Sequence, residues 1–390
     1  MHCQIKFNHM SKIQLLFFLL PLFCTAQQKE IWVDKSFEKW PQIALINTVE
    51  FNNGDRYIDP SFDYAGTGFL IDTGKDTLAA TAKHVLWIAR NKKSKTVQIN
   101  DELKKWIMIS KLNRIDSVVV DKLINEDSSE ILQGPKSTIT ERDWIIFSIK
   151  DVSPNIHLLK PRYTTLVPGE RVYMIACAYA DSTSVAYEGM LIRKEGMDLL
   201  IEFHSNKNLA GSSGSPVIDA NGHLIGILSS STKDNVTGKN INVAVSTEYL
   251  YKVIHKKDNL NQPKKDFGEL ILKTVLEKGT KKAIAQYRTL KNNPENFYIY
   301  NLRSSNKNGL REVGKKLIEQ NKIKEAIKIL KFNTKSNPFF YINFNLLAKA
   351  YLMDGDKRKA IKTYRLSTKK YDNEKNNEAF KEIARLIEEN

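Results

Sequence analysis

The apolar pattern of this chain changes period once, near residue 260, and that break divides it into two modules of different class. From about residue 31 to 255, apolar residues fall in short runs cut by Gly, Pro, Asn and Asp: Ile43–Val49, Gly68–Ile71, Thr77–Thr81, Ser117–Val120, Trp144–Ile149, Arg171–Ala176, Leu199–Phe203 and Leu224–Leu228. Many short runs of this kind predict an all-β barrel or sandwich. Asp219-Ala220-Asn221-Gly222 supplies a hairpin turn inside Val217–Leu228. Residues 91–141 are polar and irregular and read as long surface loops. From about 266 the runs give way to helical periodicity in Ala, Leu, Ile, Lys and Glu.

The helical half carries a repeat. Ala326 and Ala360 stand 34 residues apart, the period of tetratricopeptide helix pairs. Twelve residues before each lie Gly314 and Ala348, sixteen before lie Leu310 and Phe344, and four after lie Leu330 and Tyr364. Small residues at the first positions let paired helices approach, and large apolar ones fill the space between them. Pro338 ends the first unit and Gly355 sits in the turn of the second. Lys281-Lys282-Ala283-Ile284 with Tyr287 reads as an earlier, degenerate unit, and Asn373–Asn390 as a capping helix.

Charge follows the same division. Residues 1–255 hold 29 Lys and Arg against 28 Asp and Glu, whereas residues 256–390 hold 31 against 16. Asn261-Gln262-Pro263-Lys264-Lys265 reads as a linker between the halves. At the start, Lys6 and Lys12 precede an apolar run from Ile13 to Phe23, with Cys24-Thr25-Ala26 after it. This pattern predicts an export signal over residues 1–26. Removal of that segment leaves Cys177 alone, so no internal disulfide can form, and its apolar surroundings assign it a packing role. No metal-ligand spacing occurs, so no cofactor is expected.

Three short stretches carry candidate chemistry. Gly211-Ser212-Ser213-Gly214-Ser215-Pro216 places a serine on a turn with a glycine on either side. A nucleophilic serine needs such a turn, because backbone N–H groups must converge where charge develops. The N–H groups of Gly211 and Ser213 are the candidate donors. Upstream, Gly66-Thr67-Gly68-Phe69-Leu70-Ile71 leads to Leu78-Ala79-Ala80-Thr81-Ala82-Lys83-His84. A histidine just past a core strand has a fixed backbone and an accessible ring, as a general base requires. Third, Glu141-Arg142-Asp143 opens the apolar run Trp144–Phe147, which places an acid where it can orient an imidazole. Asp116, before Ser117–Val120, has the same local look, and Glu141 is a more distant rival.

Taken together, the order His84, Asp143, Ser213 resembles the chymotrypsin-like serine peptidases. The matching pieces are Gly-Thr-Gly-Phe-Leu-Ile, Thr-Ala-Lys-His, Asp-Trp-Ile-Ile-Phe and Gly-Ser-Ser-Gly-Ser-Pro. Pro168-Gly169-Glu170-Arg171-Val172 resembles the turn that enters that family's second barrel. The resemblance implies two six-stranded β-barrels over residues 31–255, with His84 as base, Asp143 as its orienter and Ser213 as nucleophile. A linker at 256–265 and tetratricopeptide-like helical repeats at 266–390 would follow. Ser212 stands where activated digestive members carry an Asp. Ser215 is shared with glutamyl-endopeptidase-like members, but the histidine those members use for a Glu side chain is Leu228 here. By the same resemblance Leu228, Ser229 and Lys207 would border the specificity pocket.

The expected partner is therefore a protein or peptide substrate, and an acidic protein segment or anionic surface for the basic helical half. No nucleic-acid-binding module is recognisable. Two Ser-x-x-Lys stretches, at Ser36 and Ser304, lack the Lys-Thr-Gly that a β-lactamase-like enzyme would add. The rival to a peptidase is a non-catalytic peptide-binding protein on the same fold.

Overall fold

The computed structural model describes residues 31–54, 64–89, 103–127, 130, 142–205, 207–233, 240–256, 264–302, 309–338, 340–370 and 377–389. The expected signal segment, Glu141 and most of the linker lie outside these residues. No helix among the described residues is long and apolar enough to cross a membrane.

The first barrel is built from β1 (Leu45–Phe51), β2 (Thr67–Asp72), β3 (Thr77–Thr81), β4 (Leu103–Ile109), β5 (Ser117–Leu123) and β6 (Ile145–Val152), with the short α1 (Lys83–Ala89) after β3. These strands pair in the order β1-β4-β5-β6-β3-β2, and β1 pairs with β2 to close the ring. A two-residue strand, β7 (Leu158–Leu159), adds to β2 in parallel. The second barrel comprises β8 (Arg171–Ala176), β9 (Val185–Glu195), β10 (Asp198–Phe203), β11 (Pro216–Asp219), β12 (Leu224–Lys233) and β13 (Asn240–Ser246), closed in the order β10-β13-β12-β11-β8-β9. The helix α2 (Thr247–Ile254) follows it.

Each barrel has its own interior. Leu45, Trp106, Met108 and Phe147 fill the first; Met174, Leu199, Val217 and Ala244 fill the second. A third cluster joins Phe69 and Trp144 of the first barrel to Ile175, Ile218, Ile227 and Val245 of the second, so the seam between the barrels is itself apolar core. The Trp144 indole crosses that seam to donate to Val245 O at 3.1 Å.

The loop assignment for 91–141 is corrected over residues 103–123. Leu103–Ile109 is a full barrel strand paired with β1 from Ile46↔Ile109 to Phe51↔Leu103. Lys104 and Lys105 face solvent while Trp106 and Met108 are buried. The two adjacent lysines hide the alternation of a half-buried strand.

Beyond residue 264 the chain is helical: α3 (Phe267–Asn292), α4 (Asn296–Ile299), α5 (Leu310–Glu319), α6 (Ile323–Ser336), α7 (Tyr341–Met353), α8 (Lys357–Lys370) and α9 (Asn377–Glu388). Gly279, at φ +81°, folds α3 back on itself, so that Thr274 Oγ1 reaches Gln286 Oε1 at 2.6 Å. In a straight helix twelve residues would separate them by about 18 Å. α5 with α6 and α7 with α8 form further antiparallel pairs. Gly314 of α5 lies against Leu330 of α6, and Ala326 and Ala360 are fully buried. Left-handed turns at Asn321 (φ +56°) and Gly355 (φ +81°) stand 34 residues apart. The helical region rests on the second barrel. Phe297 packs on Gly196 in the β9–β10 turn, the Tyr298 hydroxyl donates to Glu248 of α2, and Lys252 of α2 stands 4.3 Å from the Tyr298 ring.

Candidate active site

Three elements from both barrels meet at the seam. β3 delivers His84 as the second residue of α1, the chain entering β6 delivers Asp143, and the turn before β11 delivers Ser213. His84 Nδ1 lies 2.6 Å from Asp143 Oδ2, and His84 Nε2 lies 2.7 Å from Ser213 Oγ. The other Asp143 oxygen accepts the His84 backbone N–H at 2.8 Å. One carboxylate therefore holds both the ring and the backbone of the histidine. Asp143 is 1% exposed, whereas the imidazole keeps 18% of its side-chain surface open. Burial pulls the His84 pKa down, but the charge of Asp143 and its hydrogen bond outweigh that and raise it above the ordinary imidazole value.

The rival Asp116 is held elsewhere, by the Asn113 and Asn155 amides at 3.0 Å each. Lys207 is exposed and pairs with Asp181 at 3.3 Å. Leu228 is buried in the second barrel's interior, and its N–H and C=O bond to Ser215 and Gly214. Ser229 does something the sequence reading missed: its hydroxyl donates to Asp143 Oδ2 at 2.6 Å. The signal available was its place immediately after Leu228, at the end of an apolar run that the barrel turns toward the seam. Cys177 is buried, and burial pushes its thiol up to about 12, far from the range of a nucleophilic thiolate.

The turn carrying Ser213 takes its shape from the first barrel. Gly211 and Gly214 have φ of +92° and +85°, values that side chains rarely adopt. Thr67 N–H donates to Ser213 O at 2.7 Å, Thr67 Oγ1 to Gly211 O at 3.2 Å, and Thr81 Oγ1 to Thr67 O at 2.7 Å. A methyl group on Gly66 would stand 2.5 Å from Ser213 O, and one on Gly214 would stand 2.2 Å from Thr67 O. The Gly-Thr-Gly and Gly-Ser-Ser-Gly stretches thus interlock without room for a side chain. Ala210 O is taken by Tyr179 N–H at 2.8 Å. Among the described residues, the N–H groups of Gly211 and Ser213 donate to no protein acceptor, which leaves two donors beside the Ser213 hydroxyl.

Two closed barrels with serine, histidine and aspartate in hydrogen-bonded line at their seam are similar in architecture to a trypsin-like peptidase domain. Residues 66–227 match the family model described as a trypsin-like peptidase domain. The matched span opens on Gly66 and takes in His84, Asp143 and Ser213. No curated protein matches the chain.

Proposed function

We propose that this chain is an exported serine endopeptidase, with a helical module of tetratricopeptide type that brings it substrate. The observation that carries this reading is the line Asp143–His84–Ser213 beside two unused N–H donors. His84 Nε2 takes the Ser213 proton as Oγ attacks the substrate carbonyl, and Asp143 holds the imidazolium that forms. The Gly211 and Ser213 N–H groups receive the oxyanion. His84 then protonates the leaving amine, and water hydrolyses the acyl-enzyme by the same route in reverse. Export rests on the N-terminal pattern of basic residues, apolar run and small residues.

A fluorophosphonate probe tests the reading. It should modify Ser213 stoichiometrically, as read by peptide mass spectrometry, and unfolded protein should not react. Failure of the native protein to react would leave a peptide-binding protein on this fold. The pH dependence is a second test. The base works only when neutral, and its pKa is raised. Reaction should therefore fall as pH drops, with the midpoint above the ordinary imidazole value of about 6.5. A midpoint well below that value would contradict the His84–Asp143 pairing.

The helical module offers a groove of about 750 Å³ between α5, α7 and α9, where Arg311, Lys315 and Lys349 outnumber Glu312 and Glu382 around Ile342 and Met353, and Arg311 pairs with Glu312 at 3.9 Å. We assign this face to an acidic segment of a protein substrate. Arg311→Glu/Lys315→Glu/Lys349→Glu in the full chain should leave hydrolysis of a short ester unchanged. The same variant should slow cleavage of casein, an acidic unfolded protein, by roughly fivefold at low salt, the effect of a few exposed ion pairs. Salt at about 1 M should slow the wild type to match. Equal casein cleavage by both proteins at low salt would eliminate the recruiting role.

A further inference from the structure

The geometry points to the buried Lys83–Glu130 ion pair as a positioning element that sets the charge balance behind the His84–Asp143 couple. The inference rests on the reading of His84 as the base. Lys83 directly precedes His84. Its Nζ lies 2.6 Å from Glu130 Oε2, and neither side chain has any exposed surface. The same ammonium stands 5.2 Å from the centre of the Tyr249 ring on α2. The Lys83 backbone N–H donates to Asp143 O at 3.3 Å, beside the His84 N–H that donates to Asp143 Oδ1. The residue is thus tied to the catalytic aspartate at its backbone and to Glu130 at its tip.

An apolar residue would be the ordinary occupant of this position, since Leu78, Ala79, Ala80 and Ala82 before it are all core. Exchanging a buried ion pair for apolar groups of similar volume is often neutral or stabilising, so stability alone does not account for one here. Its distinctive effect is electrostatic. Burial pulls the Lys83 pKa down, but Tyr249 and the carboxylates of Glu130 and Asp143 outweigh burial and hold the ammonium charged. Lys83 and Asp143 therefore feel each other's charge, and through Asp143 so does His84.

The signs are opposite for the two partners. The Lys83 cation steadies the Asp143 anion and disfavours a second cation on His84. The Glu130 anion offsets it. Other groups face the same space. Arg142, 4% exposed, lies beside Asp143 with Nε and Nη1 unpartnered among the described residues. From α2 comes Tyr249, while Lys252, over the Tyr298 ring, acts on this space only through the charge of Arg142, and from the second barrel come the hydroxyls of Ser213 and Ser229. None of these changes in a variant of the pair, so the shift isolates it.

The test is the His84 titration midpoint, followed by NMR in the full chain, alongside the pH profile of fluorophosphonate inactivation. Lys83→Met should raise the midpoint by about one pH unit, and Glu130→Gln should lower it by a similar amount. Lys83→Met/Glu130→Gln should return it to within roughly 0.3 unit of wild type. The acid limb of inactivation should move with it. If Lys83→Met does not fold, a fall in Glu130→Gln and a return in the double variant carry the same result. Single variants that leave the midpoint within roughly 0.2 unit, or that both move it the same way, would overturn the inference and make the pair mere packing. Midpoints that move as expected in a protein whose Ser213 never reacts would sink the endopeptidase reading and leave the positioning intact.

Discussion

On the proposed triad, Ser213→Ala should lower turnover of any ester or peptide substrate by on the order of 10⁶, because the attacking atom would be gone. The residual rate reports what the two N–H donors and substrate positioning still supply. Adding His84→Ala to Ser213→Ala should change little further, since a base 2.7 Å from a missing hydroxyl has no proton to take. Asp143→Asn should cost less than either, on the order of 10⁴, by analogy with the same exchange in a triad enzyme. Ser229→Ala should cost less again, because it removes one of the hydrogen bonds to a carboxylate that the His84 ring and backbone still hold. Steady-state turnover per mole of folded protein measures all four. A double variant far slower than Ser213→Ala would show that the residues do not act as one unit.

The second large effect comes from a methyl group. Gly214→Ala places Cβ 2.2 Å from Thr67 O, 2.4 Å from Thr81 Oγ1 and 2.8 Å from Ala82 N, at a φ of +85°. Two of the three neighbours are first-barrel backbone and cannot swing aside. The nucleophile turn must back away, and the 2.7 Å contact between Ser213 and His84 goes with it. Turnover should fall by about 10³ or more, and stability by about 3 kcal/mol. Gly355→Ala is the control. Its φ is +81°, but nothing lies within 4 Å of the new carbon. That variant should lose about 1–2 kcal/mol and no activity. Thermal melts with ester turnover decide it; Gly214→Ala within tenfold of wild-type activity would mean the barrels do not interlock as described.

The strands legible in the sequence were those whose apolar residues run together. Thr77–Thr81 and Arg171–Ala176 are strands over those same bounds, because both are buried along most of their length. β4 and β9 were illegible for the opposite reason. In β4 the adjacent Lys104 and Lys105 mask the alternation that Trp106 and Met108 follow, and in β9 the outward partners of Tyr187, Gly189 and Leu191 are Glu188, Met190 and Ile192, so polarity does not mark the faces. The site motifs were legible because glycines at forced φ and a histidine after a core strand leave a local mark. Asp143 and Asp116 looked alike because both open an apolar strand. Only the pairing order, which puts β6 beside β3, brings Asp143 to His84. Glu130 and the Lys83 ammonium left no local mark, since each acts across a long sequence separation, and Ser229 left only its place after Leu228. The fold-back at Gly279 was hidden because helical periodicity continues on either side of it.

If the proposed chemistry holds, the interlock of Thr67 with the serine turn would also set when the molecule becomes active during its synthesis. His84 and Asp143 are made early, and the strands that hold them close by residue 152. The serine arrives later, on a loop whose carbonyls at Gly211 and Ser213 find their donors in Thr67 of the earlier barrel. Neither half alone holds the complete line: one lacks Ser213 and the other lacks the partners that shape its turn. Hydrolytic capacity of the proposed kind would thus come at the last docking event and not before. On the proposed reading a half-made chain would be harmless to its neighbours, and recovery of activity on refolding would serve as a clock for the meeting of the two barrels.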